Sequence, residues 1–182
     1  MMRPSRYGLV AYVKDPVRGF IQNIRQELHP NLPHLAAHLS LLPPRCLNGD
    51  EASAQALIEE ASLYIEPFEV SLGEVETFIP VTPTVFIRVA HASFLMTELH
   101  RRLNTGVLAF EEPWPYLPHL TIVKMSAEDE AQEAYRIASR RWSEFEGSRS
   151  IQVDQLTFVR EEASNEWVDL AEIPLGRPLL KR

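Results

Sequence analysis

Cysteine, positive charge and long apolar runs are what this chain lacks. Its single cysteine, Cys46, cannot close an internal disulfide, which fits a reducing cytoplasm. As a small side chain after Pro43-Pro44 it needs no chemical role. Eighteen Lys and Arg against 25 Asp and Glu give a formal charge of −7, which excludes a general basic field for long nucleic acid. A small anionic ligand needs only a few local donors and stays open. No stretch approaches the roughly 18 apolar residues of a membrane span. The seven-residue apolar run Tyr7–Val13 is followed by Lys14-Asp15 without a small-residue cleavage site. The expectation is a cytoplasmic chain with no membrane partner, its 182 residues forming one compact domain or two intimate lobes.

What is present is an order of elements that occurs twice. Tyr7–Val13 reads as a strand. Asp15-Pro16 opens a helix in which Val17, Ile21, Ile24 and Leu28 keep helical spacing. His29–Leu35 is a loop, and a strand beginning at His38 runs until Pro43-Pro44. Asn48 or Asp50 caps a second helix with Ala54, Leu57, Ile58 and Ala61 on one face. Pro67–Ile79 is extended with a break at Gly73. From Val85 the order recurs: strand Val85–Ala90, helix Ser93–Leu103, proline-rich loop Asn104–Pro118, and a strand from His119. A helix opened by Ser126 and Asp129 follows, with Ala131, Ala134, Tyr135 and Ala138 on one face. Ile151–Arg160 and Trp167–Ile173 form a closing hairpin turning near Ser164-Asn165. The expected fold is α+β: two pseudo-symmetric lobes, residues 7–79 and 85–173, with antiparallel-rich sheets facing a central cleft and helices outside. Residues 1–182 then make a single bilobal domain.

Both motif strands read His-apolar-hydroxyl-apolar-apolar: His38-Leu39-Ser40-Leu41-Leu42 and His119-Leu120-Thr121-Ile122-Val123. Strand side chains alternate between faces, so His38 and Ser40 share a face, as do His119 and Thr121. With six histidines, about 0.6 chance matches to His-x-Ser/Thr are expected, so spacing alone carries little. A third match, His91-Ala92-Ser93, falls where a strand gives way to a helix, and Ser93 reads there as a cap. The other two hold equivalent places in the repeat. Two imidazoles suit acid–base work on a cyclic phosphodiester, since the reference pKa of about 6.5 allows one to be neutral and the other protonated. Hydroxyls on the same face can donate to nonbridging phosphate oxygens. The scheme needs no metal and no cofactor.

The two motifs, the repeat and the placing of a motif strand in each half resemble the 2H phosphoesterase superfamily. This superfamily includes bacterial 2′-5′ RNA ligases and 2′,3′-cyclic phosphodiesterases. The resemblance spans about Tyr7 to Ile173, and Pro118-His119-Leu120-Thr121 carries it best; Ser40 stands where threonine is more usual. It implies that His38 and His119 are catalytic and that Ser40 and Thr121 bind phosphate. It also implies a nucleotide or RNA-end substrate with a cyclic phosphate or a 2′-5′ linkage. A binding module that keeps the cleft without turnover is the alternative.

Trp114 and Tyr116, before the second motif, are candidates for stacking on a base. Lys124 alternates onto the opposite face from His119 unless the strand bulges. His34 and His38 lack the glutamate of H-E-x-x-H, and with His29 they do not make a metal set. His100 reads as solvent-facing on its helix.

Overall fold

Among the described residues, eight strands in one antiparallel sheet, four α-helices and a short 3₁₀ turn make up the architecture. The computed structural model describes residues 3–31, 35–162 and 166–177. In chain order the elements are β1 (Arg6–Tyr12), α1 (Val17–Leu28), β2 (His38–Arg45), α2 (Glu51–Ser62), β3 (Phe68–Thr77) and β4 (Thr84–His91). They continue with α3 (Ser93–Leu103), the 3₁₀ turn Gly106–Leu108, β5 (His119–Lys124), α4 (Glu128–Ser143), β6 (Ser150–Val153), β7 (Gln155–Glu161) and β8 (Trp167–Pro174).

The strand order is β6-β3-β4-β5-β2-β1-β7-β8, and the sheet is curled into a half-barrel. Its two motif strands are central neighbours, joined at the pair Leu39↔Leu120. On one side lie β1, β7 and β8; on the other lie β4, β3 and β6. Each chain-order half therefore lays its last strands in the other half of the sheet: β3 pairs with β4, and β7 pairs with β1. The helices cross over in the same way. α1, from the first half, packs against β5, and α3, from the second, packs against β2.

Local sequence explains most elements, and tertiary contacts explain the departures. Asp50 caps α2 by accepting from the Ser53 N–H at 2.7 Å. Asp15 acts on α1 from one residue further out, accepting from Gly19 N–H at 3.0 Å. Two expected caps are replaced. Ala92, in the left-handed region at φ 59°, precedes α3, so Ser93 is a helical residue. At α4 the cap position is Ala127, and Glu130 reaches back to the Ser126 N–H at 3.2 Å. The expected strand Ile151–Arg160 is two strands. Asp154 separates β6 from β7, and these two lie on opposite halves of the sheet. The turn at Ser164-Asn165 lies outside the described residues. At the break in β3, a Cβ on Gly73 would sit 2.9 Å from the Ala90 Cβ, so the bare backbone allows the close approach. Trp142, 2% exposed, donates its indole N–H to the Gly73 carbonyl at 2.7 Å.

β2 runs through Pro43-Pro44 to Arg45 rather than ending before them. The β1–β2 register shifts between Tyr7 and Leu9, and prolines are tolerated at such irregularities. A second shift, between Leu9↔Leu42 and Val10↔Ser40, doubles the apolar pair Leu41-Leu42 against one step of β1. The same happens in β5, where Val85↔Val123 and Phe86↔Thr121 leave Ile122 as the extra residue. The doubled apolar residues of each motif are thus the two bulges. All four are buried: Leu41 at 0%, Leu42 at 1%, Ile122 at 0% and Val123 at 2% exposure.

Side chains from the opposite half of the chain satisfy carbonyls at these bulges. Arg25 of α1 donates Nε to Ile122 O at 2.6 Å, Nη2 to Thr121 O at 2.9 Å and Nη1 to Leu35 O at 2.5 Å. His100 occupies the matching place in α3, three residues before the last, as Arg25 does in α1. It is 8% exposed, not solvent-facing, and its ring stacks on Tyr116 with centroids 4.0 Å apart. The Tyr116 hydroxyl donates to Ser40 O at 2.8 Å. Glu112 joins this group, 2.7 Å from His100 Nε2 and 2.8 Å from Nη2 of the buried Arg45.

Removing Arg25 side-chain donors would strand buried carbonyls beneath the sheet centre. Arg25→Ala is expected to lower unfolding free energy by about 2–4 kcal/mol, read from urea denaturation at neutral pH.

Candidate functional site

The site is built on the face of β2 and β5 opposite Leu39, Leu41, Leu120 and Ile122, all of them buried in the core. His38, Ser40, His119 and Thr121 alternate with those residues and are all partly exposed. The antiparallel order around Leu39↔Leu120 puts His38 on the Thr121 side of that pair and Ser40 on the His119 side. The imidazoles are therefore diagonal to one another, and so are the hydroxyls. In a regular ladder such diagonal residues are about 7–8 Å apart.

Each imidazole is held in the same way. His38 Nδ1 lies 2.7 Å from Ala36 O, and His119 Nδ1 lies 2.6 Å from Leu117 O. In both cases the partner is the carbonyl two residues back. A carbonyl oxygen only accepts, so Nδ1 carries the hydrogen and the lone pair of the neutral ring is on Nε2. Either ring can then take a proton at Nε2 or give one from it without turning.

The walls come from other strands. Trp167 of β8 packs on His38, ring centroids 4.6 Å apart. Tyr12, the β1 partner of His38, donates its hydroxyl to Asp169 at 2.6 Å. His119 meets Phe78 and Phe86 edge-on at 5.1 and 5.2 Å, and those two phenyl rings stack at 4.1 Å. Sequence reasoning did not single out Trp167, Phe78, Phe86 or Arg25. Their signal is weak because an aromatic on a strand usually means core, and an arginine on a helix usually means solvent.

Burial lowers the pKa of both histidines. His38 is pushed down to about 4, chiefly by desolvation, with the charges of Arg25 and His119 acting in the same direction against the Ala36 hydrogen bond. His119 is lowered by burial against the Leu117 hydrogen bond. At neutral pH, with the cleft empty of anions, both rings are neutral.

Of the two stacking candidates, Trp114 is 62% exposed. Tyr116 instead gives its ring to His100 and its hydroxyl to Ser40 O. It fastens the proline-rich loop to β2. His34 lies outside the described residues. Among the described residues, no three His, Cys, Asp or Glu side chains cluster as a metal set, and no helix is long and apolar enough to cross a membrane. A groove of about 960 Å³ is bordered by Glu74, Glu76, Arg88, Tyr135 and Arg149, with neither motif histidine in its lining, although Arg88 is the strand partner of His119.

A curled antiparallel sheet with two central motif strands and helices behind defines an α+β protein of LigT-like fold. A crystal structure of LigT from E. coli complexed with 3′-AMP aligns with a TM-score of 0.63 at 14% identity, covering 96% of this chain and 99% of that one. The structure of TT0787 from Thermus thermophilus aligns with a TM-score of 0.66 at 19% identity, covering 95% and 100%. In sequence, a protein of Halalkalibacterium halodurans named as a phosphoesterase is 28% identical over 128 residues, 70% of this chain and 74% of its own. A Bacillus licheniformis protein of the same description is 22% identical over 172 residues, 94% of this chain and 99% of its own. The family model for the 2′-5′ RNA ligase superfamily matches residues 13–165. The chain belongs to the 2′-5′ RNA ligase superfamily, the 2H phosphoesterases.

The lowered His38 pKa has a stability consequence. The unfolded chain takes up a proton near pH 6.5 that the folded chain refuses until about pH 4. Stability associated with this group is full above about 6.5 and is lost as pH falls toward 4. Urea midpoints measured across this window should fall with pH, and His38→Gln should flatten part of that slope. Ring-nitrogen NMR should find His38 neutral, with hydrogen on Nδ1, at about pH 6.

Proposed function

We propose that the protein is a metal-independent phosphoesterase that acts on 2′,3′-cyclic phosphate or 2′-5′ phosphodiester linkages of nucleotides or RNA ends. His38 and His119 serve as general base and general acid, and Ser40 and Thr121 hold the phosphate. The observation that carries this reading is the matched presentation of the two rings. Each is anchored at Nδ1 by the carbonyl two residues back, on neighbouring strands joined at Leu39↔Leu120.

In the hydrolytic direction one neutral imidazole takes a proton from water as the water oxygen bonds to phosphorus. The bond from phosphorus to one ribose oxygen breaks, and the other imidazole, protonated, gives that oxygen its proton. The resting state of two neutral rings fits this scheme, because a bound phosphate anion favours protonation of one of them. The Ser40 and Thr121 hydroxyls, diagonal to one another, can donate to the two nonbridging oxygens, where charge develops. In the ligation direction a 5′-hydroxyl replaces water as the nucleophile and the two rings keep their roles; they exchange roles when a 2′-5′ linkage is cleaved back to the cyclic phosphate. The formal charge of −7 favours short or mononucleotide cyclic phosphates over structured RNA. The ligands in crystals of the LigT fold neighbour, 3′-AMP and phosphate, are of the chemical class this cleft would take. The exposed Trp114 is available to stack on a base.

Hydrolysis of 2′,3′-cyclic nucleotides should survive EDTA. His38→Ala and His119→Ala should each lower kcat by about 10²–10⁴, and Ser40→Ala and Thr121→Ala by about 10–10³. Product analysis by ³¹P NMR reads both the rate and the position of the remaining phosphate. Activity abolished by EDTA would overturn the metal-free scheme. Tight binding without turnover would make the chain a nucleotide-binding module.

A further inference from the structure

Arg25 lies in neither motif, and its surroundings set it apart from the other arginines. It is 7% exposed, and its hydrogen-bond partners are the carbonyls of Leu35, Thr121 and Ile122. No carboxylate pairs with it among the described residues: its pKa, lowered to about 10, responds to burial alone. Arg45, also buried, is neutralised by Glu112. Burying a guanidinium without a counter-ion costs several kcal/mol. Carbonyl partners and the C-terminal turn of α1, where Arg25 sits, offset that only in part.

In the other half of the fold the corresponding carbonyl of the motif hydroxyl residue is met by an uncharged donor. The matching place in α3 holds His100, and Ser40 O is met by the uncharged Tyr116 hydroxyl. The pseudo-twofold arrangement is thus broken by one charge, placed behind Thr121. That charge reaches the cleft, since it contributes to the lowered pKa of His38. Its three carbonyl bonds also tie the segment entering β2, at Leu35, to the bulge of β5. The two motifs are thereby held in fixed relation.

We infer that Arg25 is a positioning residue for anion binding: it locks the β5 bulge behind Thr121 and leaves an unneutralised positive charge beneath the space between the two histidines. The inference rests on the reading of that cleft as a phosphate site. A unit charge about 8 Å from a phosphate, at an effective dielectric constant near 20, is worth about tenfold or more in affinity.

The test uses Arg25→Gln, which keeps amide donors without charge, and Arg25→Lys, which keeps charge with fewer directed donors. Inorganic phosphate is titrated against the full-length protein, following the Cε1–H signals of His38 and His119 by NMR. Thermal melts confirm folding. Arg25→Gln should bind phosphate about tenfold more weakly and should raise the His38 titration midpoint. Arg25→Lys should stay within about threefold of wild type with the midpoint kept, while kcat on a cyclic nucleotide falls because lysine cannot hold three carbonyls. A folded Arg25→Gln with wild-type affinity and midpoint would overturn the inference. So would equal loss of phosphate binding in both variants, which would reduce Arg25 to a structural support. If Arg25→Gln does not fold, retention or loss of phosphate by Arg25→Lys decides in the same senses. Wild-type protein with no phosphate-dependent shift at either histidine would overturn the cleft reading itself, and this inference with it.

Discussion

Everything at the centre of this protein depends on one short antiparallel contact, between β2 and β5 at Leu39↔Leu120. That pair joins the two halves of the sheet and sets the phase of both motif strands at once. A slip of one residue in either strand would turn its histidine and hydroxyl into the core and its leucines outward. The contact is short because both strands bulge soon after their hydroxyl residues. A bulge removes ladder bonds and leaves carbonyls to be satisfied by something else. Arg25 and Tyr116 supply those donors from crossed-over elements. Packing of apolar faces and satisfaction of polar groups therefore converge on the same few residues.

The crossover of elements interleaves the two halves of the repeated chain order in one sheet. β3 and β7 each join the sheet half opposite to the one expected from chain order, and α1 and α3 each lie beneath the other half's motif strand. α1, α2 and α3 pack on β5, β8 and β2, strands of the opposite half, and α4 lies across β3 and β4. The same arrangement gives the cleft its walls. β8, at one edge of the sheet, brings Trp167 and Asp169 to His38 and Tyr12. On the other side, the chain leaving β3 places Phe78 beside His119.

Symmetry in the motifs is matched by asymmetry in their surroundings. Both imidazoles are anchored alike, yet one is flanked by an indole and the other by two phenyl rings. One motif strand is backed by an arginine and the other by a stacked histidine and tyrosine. Near-identical motifs can thereby be given different protonation behaviour, which acid–base chemistry on the two sides of one phosphorus requires.

The amino-acid sequence determined the local matters. α1 and α3 begin and end where their apolar spacing says, Asp50 caps α2, and the break at Gly73 is real. The phase of His38 with Ser40, and of His119 with Thr121, follows from strand alternation alone. The doubled apolar residue after each hydroxyl was also visible in the sequence, and its meaning as a bulge came only from the partner strand's register. Tertiary structure decided what depends on distant partners. It split Ile151–Arg160 at Asp154 between two sides of the sheet, carried β2 through Pro43-Pro44, and buried His100 against Tyr116. It also set Arg25 beneath Thr121, 96 residues away in the chain. Side-chain periodicity reports which face is apolar; it holds no information on which remote carbonyl a buried cation will meet.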